Sequence, residues 1–273
     1  MQLERHEELL LLAHLTGRSR TEVLLTKLHE LPDETRRAFF DACERRRKGE
    51  PLQYILGEWD FYGLTFKTDA RALIPRAETE LLVEKVLAFV DCLPRGLADD
   101  GTHAAVRILD VCTGTGCIAI TLAKFLREKG VAVDVMAIDI SADALSLARE
   151  NALLHGVENC VGFVQGDLAD SLNEGQFDVV ISNPPYILAS EMATLQTEVR
   201  DYEPHLALDG GADGMDLYRR LLPQAYRLLR AGGGLFLEIG PREVTDLTRA
   251  AGFENVQLWP DYAGLDRMIT AIK

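Results

Sequence analysis

The sequence predicts an α/β fold with a mostly parallel sheet, preceded by a small helical domain, on three observations. From residue 106 onward, short apolar runs alternate with amphipathic helical stretches, the pattern of successive βα units. The first 50 residues carry helix start and stop signals and no strand signal. Between the two regions, Trp59-Asp60-Phe61-Tyr62-Gly63-Leu64-Thr65-Phe66 alternates about a glycine and reads as a β-hairpin joining two domains. A chain of 273 residues exceeds one typical domain. The expected division is residues 1–75, helices plus hairpin linker, and residues 76–273, the α/β unit.

The elements follow in order. Leu9 to Leu12 and Leu15 form an apolar stripe, and Gly17 is placed to stop that helix. Ser19-Arg20-Thr21-Glu22 is a capping box opening a second helix over residues 23–31. Pro32-Asp33 opens a third, through Phe39, Phe40 and Cys43, and Gly49 ends it. A short helix or turn is expected at Pro51-Leu52-Gln53-Tyr54-Ile55-Leu56-Gly57. After the hairpin comes a helix over residues 81–90, then a Gly-, Asp- and Pro-rich loop over residues 94–101. Seven strands are expected, at residues 106–111, 133–138, 161–164, 177–182, 235–239, 256–258 and 266–272. Helices are expected at residues 117–126, 142–154 and 216–229. Residues 188–212 read as a long irregular stretch, a lid or binding loop. Gly232-Gly233-Gly234 reads as a turn into the fifth strand.

Charge and cysteine content narrow the function classes. Lys and Arg number 29 against 43 Asp and Glu, a net charge of −14. The first 50 residues hold 10 of each sign, so the whole excess lies in residues 51–273. An acidic body disfavours duplex nucleic acid as primary partner, because that affinity comes from neutralising phosphates. The basic run Arg45-Arg46-Arg47-Lys48 reads as a solvated helix end. No run of 18 apolar residues is present, so no membrane span is expected. The charged N-terminus lacks a signal-peptide apolar segment. Five scattered cysteines without a C-x-x-C pair argue for a reducing compartment and against a zinc site. A cytoplasmic monomer is expected.

Two stretches carry chemistry. Asn183-Pro184-Pro185-Tyr186 follows a buried strand, so it lies where open α/β sheets bind ligands. The two prolines lack N–H groups, leaving carbonyl acceptors without matching donors. Asn183 adds a side-chain oxygen, and Tyr186 a flat face for a planar amide or base. Adjacent acceptors suit a group bringing two N–H donors. In this reading Asn183 acts as an acceptor only, and an Asp in its place retains appreciable activity.

The second stretch is Asp110-Val111-Cys112-Thr113-Gly114-Thr115-Gly116, a strand running into a Gly-rich turn. Asp139, followed by Ile140, ends the next strand, where a carboxylate can accept ribose hydroxyls. Asp167, followed by Leu168, ends the third, where it can accept from an exocyclic amine. Two ligands fit. One is a dinucleotide, through Gly114-x-Gly116-x-x-Ala119 with a later acid. The other is S-adenosylmethionine, which needs no pyrophosphate cradle and whose positive sulfonium suits acidic surroundings. Asp110 and the acceptor-rich Asn183 turn favour the methyl donor.

These residues resemble the class I methyltransferases that modify the glutamine of peptide chain release factors, the HemK/PrmC type. The resemblance covers nearly the whole chain. It rests on residues 51–57, Ile74-Pro75-Arg76-Ala77-Glu78-Thr79-Glu80 and Asn183 to Tyr186. It rests also on Tyr202-Glu203-Pro204-His205-Leu206-Ala207-Leu208-Asp209-Gly210-Gly211, Leu237-Glu238-Ile239-Gly240 and Gly264-Leu265-Asp266-Arg267. N-P-P-Y alone is shared with enzymes that methylate amino groups of DNA and RNA bases, the alternative reading. The resemblance implies a Rossmann-like, mostly parallel seven-stranded sheet. It implies catalysis at Asn183, Pro184, Pro185 and Tyr186. It further implies S-adenosyl-L-methionine at Asp110, Cys112, Thr113, Gly114, Thr115, Gly116, Asp139, Ile140, Asp167, Leu168 and Asn183. The implied substrate is the glutamine amide of a Gly-Gly-Gln motif, gripped by the N-terminal helices, with no direct nucleic-acid partner. Cys112 stands where the family usually has Gly, and an ordinary backbone is expected there. Ala77 replaces a frequent Pro, Leu168 a frequent aromatic, and Pro241-Arg242-Glu243 lacks a usual Gln.

Overall fold

The computed structural model describes residues 3–94, 104–170, 172, 174–240 and 243–273. The expected loop at residues 94–101 lies outside them except for Pro94, as do Pro241 and Arg242.

Four helices open the chain: α1 (Arg5–Thr16), α2 (Arg20–Leu25), α3 (Asp33–Arg47) and α4 (Leu52–Leu56). Gly17 caps α1 in the left-handed conformation, φ 64°. The capping box of α2 forms: Ser19 N donates to Glu22 Oε2 at 2.8 Å, and Glu22 N donates to Ser19 Oγ at 3.3 Å. The helix it opens stops at Leu25 rather than residue 31, and a single 3₁₀ turn, Leu28–Glu30, follows. Leu24 and Leu25 already face solvent, so further turns would gain no packing to offset chain ordering. Leu11, Leu12, Val23, Leu31, Phe39 and Cys43 form a separate small core.

The hairpin pairs β1 (Glu58–Phe61) with β2 (Leu64–Lys67). Its Phe61 and Phe66 are buried in the larger core, against α5 (Ala77–Cys92) and α6 (Cys117–Glu128). Helix α5 begins four residues before the expected residue 81, with Glu78 and Glu80 in its first turn, where carboxylates favour the helix dipole. That extra turn brings Thr79 into the interior, 2% exposed.

Seven strands form the main sheet: β3 (Val106–Val111), β4 (Val133–Asp139), β5 (Val161–Gln165), β6 (Phe177–Ser182), β7 (Leu229–Glu238), β8 (Glu254–Pro260) and β9 (Asp266–Ile272). Their order is β5-β4-β3-β6-β7-β9-β8. Strands β3 to β7 run parallel, and β9 is antiparallel to both neighbours. All six residues of β6 are buried, as a central strand covered on both faces requires. Helices α5, α6 and α7 (Ala142–His155) cover one face. On the other, α9 (Asp216–Leu228) and α10 (Val244–Ala250) pack through Tyr218, Leu221, Leu222 and Val244. The sequence reading missed α10. It also placed the fifth strand too late: β7 begins at Leu229, and the three glycines make a bulge inside it. There Gly232 N donates to Lys273 O and Lys273 N to Gly233 O.

Residues 188–212 are not irregular throughout; they hold α8 (Thr197–Tyr202) between two 3₁₀ turns. Helix α8 is fastened at both of its ends. Glu203, almost fully buried, accepts from Ile74 N at 3.2 Å and from Arg76 at 2.5 Å. Arg46 of α3 donates to Glu198 of α8 at 2.5 Å and to Glu7 of α1 at 2.8 Å. Among the described residues no helix is long and apolar enough to cross a membrane.

Candidate active site

The chain leaves β3, builds β4 and β5 on one side, then returns to place β6 on the other. The gap beyond the carboxyl ends of β3 and β6 is therefore a topological switch point, where open α/β sheets bind ligands. The Gly-rich turn after β3 and the Asn183 turn after β6 face each other there.

A cavity of about 360 Å³ fills this position, within the range of ligand pockets, about 300–1,000 Å³. Of the expected cofactor residues, Cys112, Gly114, Asp139, Ile140, Asp167, Leu168 and Asn183 line it. Asp110, Thr113, Thr115 and Gly116 do not; they support the turn from beneath. Thr113 N donates to Ile138 O at 3.0 Å, and Asn151 Nδ2 donates to Thr115 O at 3.0 Å. A Cβ on Gly116 would lie 2.9 Å from Ile120 and 3.1 Å from Ala148, so glycine here lets α6 approach α7.

Cys112 departs from the expected ordinary backbone: its φ is 61°. The turn needs the left-handed conformation that a glycine adopts freely, and a residue with a Cβ takes it at a cost. Leu168 shares this conformation, φ 59°. Burial raises the Cys112 thiol far above its ordinary range, with Asp139 and Asp110 adding to the shift. It is therefore held neutral.

Asp139 accepts from Gly114 N and Ser141 N, both at 2.9 Å. One oxygen serves each donor, and a carboxylate oxygen has two acceptor directions, so capacity remains. Burial pushes its carboxyl up from the ordinary value, against the backbone donors. Asp167 carries Arg220 at 2.7 Å. The cavity walls hold four Asp (139, 167, 209, 216) against two Arg (71 and 220). Both arginines are already paired, Arg71 with Asp69 and Glu150 and Arg220 with Asp167. Such walls suit hydroxyl and amine donors and a positive centre. They do not offer free cations to a pyrophosphate. The residues present fit S-adenosylmethionine better than a dinucleotide.

Asp110 is fully buried beneath the turn, and burial pushes its carboxyl up to about 7, although Thr113 Oγ1 donates to it at 2.6 Å. A folded value above the ordinary 3.8 means that the folded state holds the proton more tightly. The stability this contributes is complete at low pH and is lost as pH rises through about 7. Asp110→Asn is therefore expected to flatten the fall in Tm between about pH 4 and pH 7, read by calorimetry. An unchanged slope would show that Asp110 does not titrate there.

A second cavity, of about 400 Å³, lies against the first. Asn183 and Pro185 line both, while Pro184, Tyr186, Glu238, Arg76 and Arg267 line only the second. Asn183 is half-buried, and its Nδ2 donates to Thr79 Oγ1 at 3.2 Å. Thr79 Oγ1 donates in turn to Glu238 Oε2 at 2.6 Å, and Tyr186 Oη donates to Glu238 Oε1 at 3.2 Å. Burial raises the Glu238 carboxyl, opposed by the two hydroxyl donors and by Arg267. Burial and the Glu238 charge also raise the Tyr186 phenol far above its ordinary range, so it stays a donor.

Two glycines fix Tyr186. A Cβ on Gly210 would lie 2.6 Å from Tyr186 Cα, and one on Gly240 would lie 2.6 Å from its ring. Beyond the turn, Ile187 N donates to Leu208 O and Gly210 N to Ile187 O, so its exit is laddered to residues 208–210. The sequence reading missed Thr79 and Glu238 as site residues. Both stood within quoted motifs, but nothing in the sequence pairs positions 79 and 238 with 183.

Residues 102–258 match the model of a methyltransferase domain, and residues 2–57 that of the PrmC N-terminal domain. A release factor glutamine methyltransferase of Chlorobaculum tepidum is 44% identical, over 96% of this chain and 88% of that protein. Another, from Moorella thermoacetica, is 42% identical over 98% of this chain and 91% of its own. Among solved structures, a methyltransferase from Pyrococcus furiosus shares the fold, with TM-score 0.51 and 20% identity over 78% of this chain and 90% of its own. With relatives this similar along almost its whole length, the chain belongs to the release factor glutamine methyltransferase family.

Proposed function

We propose that this protein transfers a methyl group from S-adenosylmethionine to the side-chain amide nitrogen of the glutamine in a Gly-Gly-Gln motif of a peptide chain release factor. The observation that carries the reading is the meeting of two cavities at Asn183 and Pro185. In this reading Asp139, Asp167, Gly114 and Cys112 hold the cofactor in the first, and the glutamine side chain enters the second. The cofactor supplies an electrophilic methyl group on a sulfonium.

The chain's own residues do the rest. An amide nitrogen is a poor nucleophile because its lone pair is delocalised. Asn183 Oδ1 and the Pro184 carbonyl accept its two N–H groups and aim the nitrogen at the first cavity, the gain expected of orientation. Tyr186 supplies a flat face for the amide plane. The N-methylated cation is acidic enough to lose its proton to water, so no general base is required.

In the same reading residues 1–75 are the recognition unit and residues 76–273 the transfer unit. Two observations support a substrate-gripping role for the N-terminal helices. They expose Leu25 and Phe40, 82% and 56% accessible. Arg46 also ties them to Glu198, which lines the second cavity. Removing residues 1–50 is expected to raise the apparent KM for intact release factor while S-adenosylmethionine still binds. Steady-state kinetics would show it, and equal turnover of intact factor by the shortened chain would refute the role.

The reaction belongs in the cytoplasm, with the enzyme as a monomer and without direct nucleic-acid contact. Incubation with labelled methyl donor tests the function, offering intact release factor and RNA separately. Label in the release factor alone is expected; label in RNA alone would favour base methylation.

A further inference from the structure

We propose that Thr79 and Glu238 are positioning residues that decide which end of the Asn183 amide faces the substrate. The inference rests on the reading of Asn183 given above. It follows from counting hydrogens. A threonine hydroxyl has one hydrogen to give and otherwise only accepts. Thr79 gives that hydrogen to Glu238 Oε2, at 2.6 Å. With Glu238 ionised and accepting at both oxygens, Thr79 Oγ1 is an acceptor only toward Asn183, 3.2 Å away. The end of Asn183 that meets it must be the –NH2. The carbonyl end, Oδ1, is left to receive a substrate amide.

With the amide flipped, two acceptors would face each other at Thr79, and Asn183 would present donors to a substrate group that itself brings donors. Thr79 and Glu238 are each 2% exposed, so little water can reach the pair to relieve that mismatch. The second Glu238 oxygen accepts from Tyr186, so one carboxylate at the end of β7 braces both side chains of the turn. Thr79, from the first turn of α5, is the link to Asn183.

A double-mutant cycle tests this. Thr79→Val keeps the shape and removes the hydroxyl. Its kcat on intact release factor is expected to fall on the order of 10–10²-fold, the cost of a misplaced catalytic group. S-adenosylmethionine affinity, read by calorimetry, is expected to stay unchanged. Thr79→Ser, which keeps the hydroxyl, is expected to restore most of the rate. In an Asn183→Ala background Thr79→Val is expected to add almost nothing, because no amide is left to orient. A wild-type kcat in Thr79→Val would overturn the inference, as would an equal loss with and without Asn183. If the valine variant does not fold, Thr79→Ala carried through the same cycle is read by the same two outcomes. Wild-type turnover, measured in the same series, separates failure of the proposed function from failure of this inference.

Discussion

Asn183→Ala is expected to lower kcat on the order of 10²-fold or more while S-adenosylmethionine affinity changes little. Asn183 lines both cavities, while Asp139, Gly114 and Leu168 line only the first. Loss of its oxygen leaves the Pro184 carbonyl as the single acceptor for two N–H groups. The substrate nitrogen is then free to turn away from the first cavity. Single-turnover kinetics on cofactor-saturated enzyme give the number. An alanine variant at wild-type rate would remove the turn from the chemistry.

The aspartate variant now carries a different expectation from the one an acceptor-only Asn183 implies. Asn183 also donates, to Thr79. A carboxylate cannot, and it would compete with Glu238 for the one Thr79 hydrogen. Two carboxylates around one hydroxyl repel, so Asn183→Asp is expected to fall close to Asn183→Ala.

Asp139→Ala is expected to weaken S-adenosylmethionine binding by about 1.5–3 kcal/mol, the worth of hydrogen bonds to a charged group. Its effect runs through two routes. In the proposed reading the carboxylate offers its free acceptor directions to the ligand, and it also pins Gly114 N and Ser141 N at 2.9 Å. Asp139→Glu separates them, since a longer side chain keeps the charge but moves it off both backbone donors. Calorimetric titration is the measurement. Unchanged affinity in a folded Asp139→Ala variant would sink the assignment.

Much of this architecture is written locally in the sequence. Gly17 and the Ser19-to-Glu22 box mark helix ends because capping is a matter of neighbours within four residues. The buried run over Phe177–Ser182, followed by two prolines that lack N–H groups, marks the candidate site from the sequence alone. What escaped the reading depends on distant partners. The left-handed backbone of Cys112 is imposed by the turn between β3 and α6, and nothing in the residue's identity announces it. The glycine bulge in β7 is fixed by Lys273, about 40 residues downstream, through backbone bonds. Helix α8 is anchored through Glu198 to Arg46 and by the buried Glu203 just after it. The link from Glu238 through Thr79 to Asn183 joins three elements and has no local signature at all.

Mapping the methyl group on the product tests the central claim most directly. Intact release factor is incubated with enzyme and labelled S-adenosylmethionine, digested, and the labelled residue located by fragmentation mass spectrometry. In the proposed reading the Asn183 turn presents an amide nitrogen, so the label is expected on the side-chain amide of a single glutamine, in the Gly-Gly-Gln motif. Label on a carboxylate, a lysine or a nucleic-acid base, with that glutamine unmodified, would contradict the account.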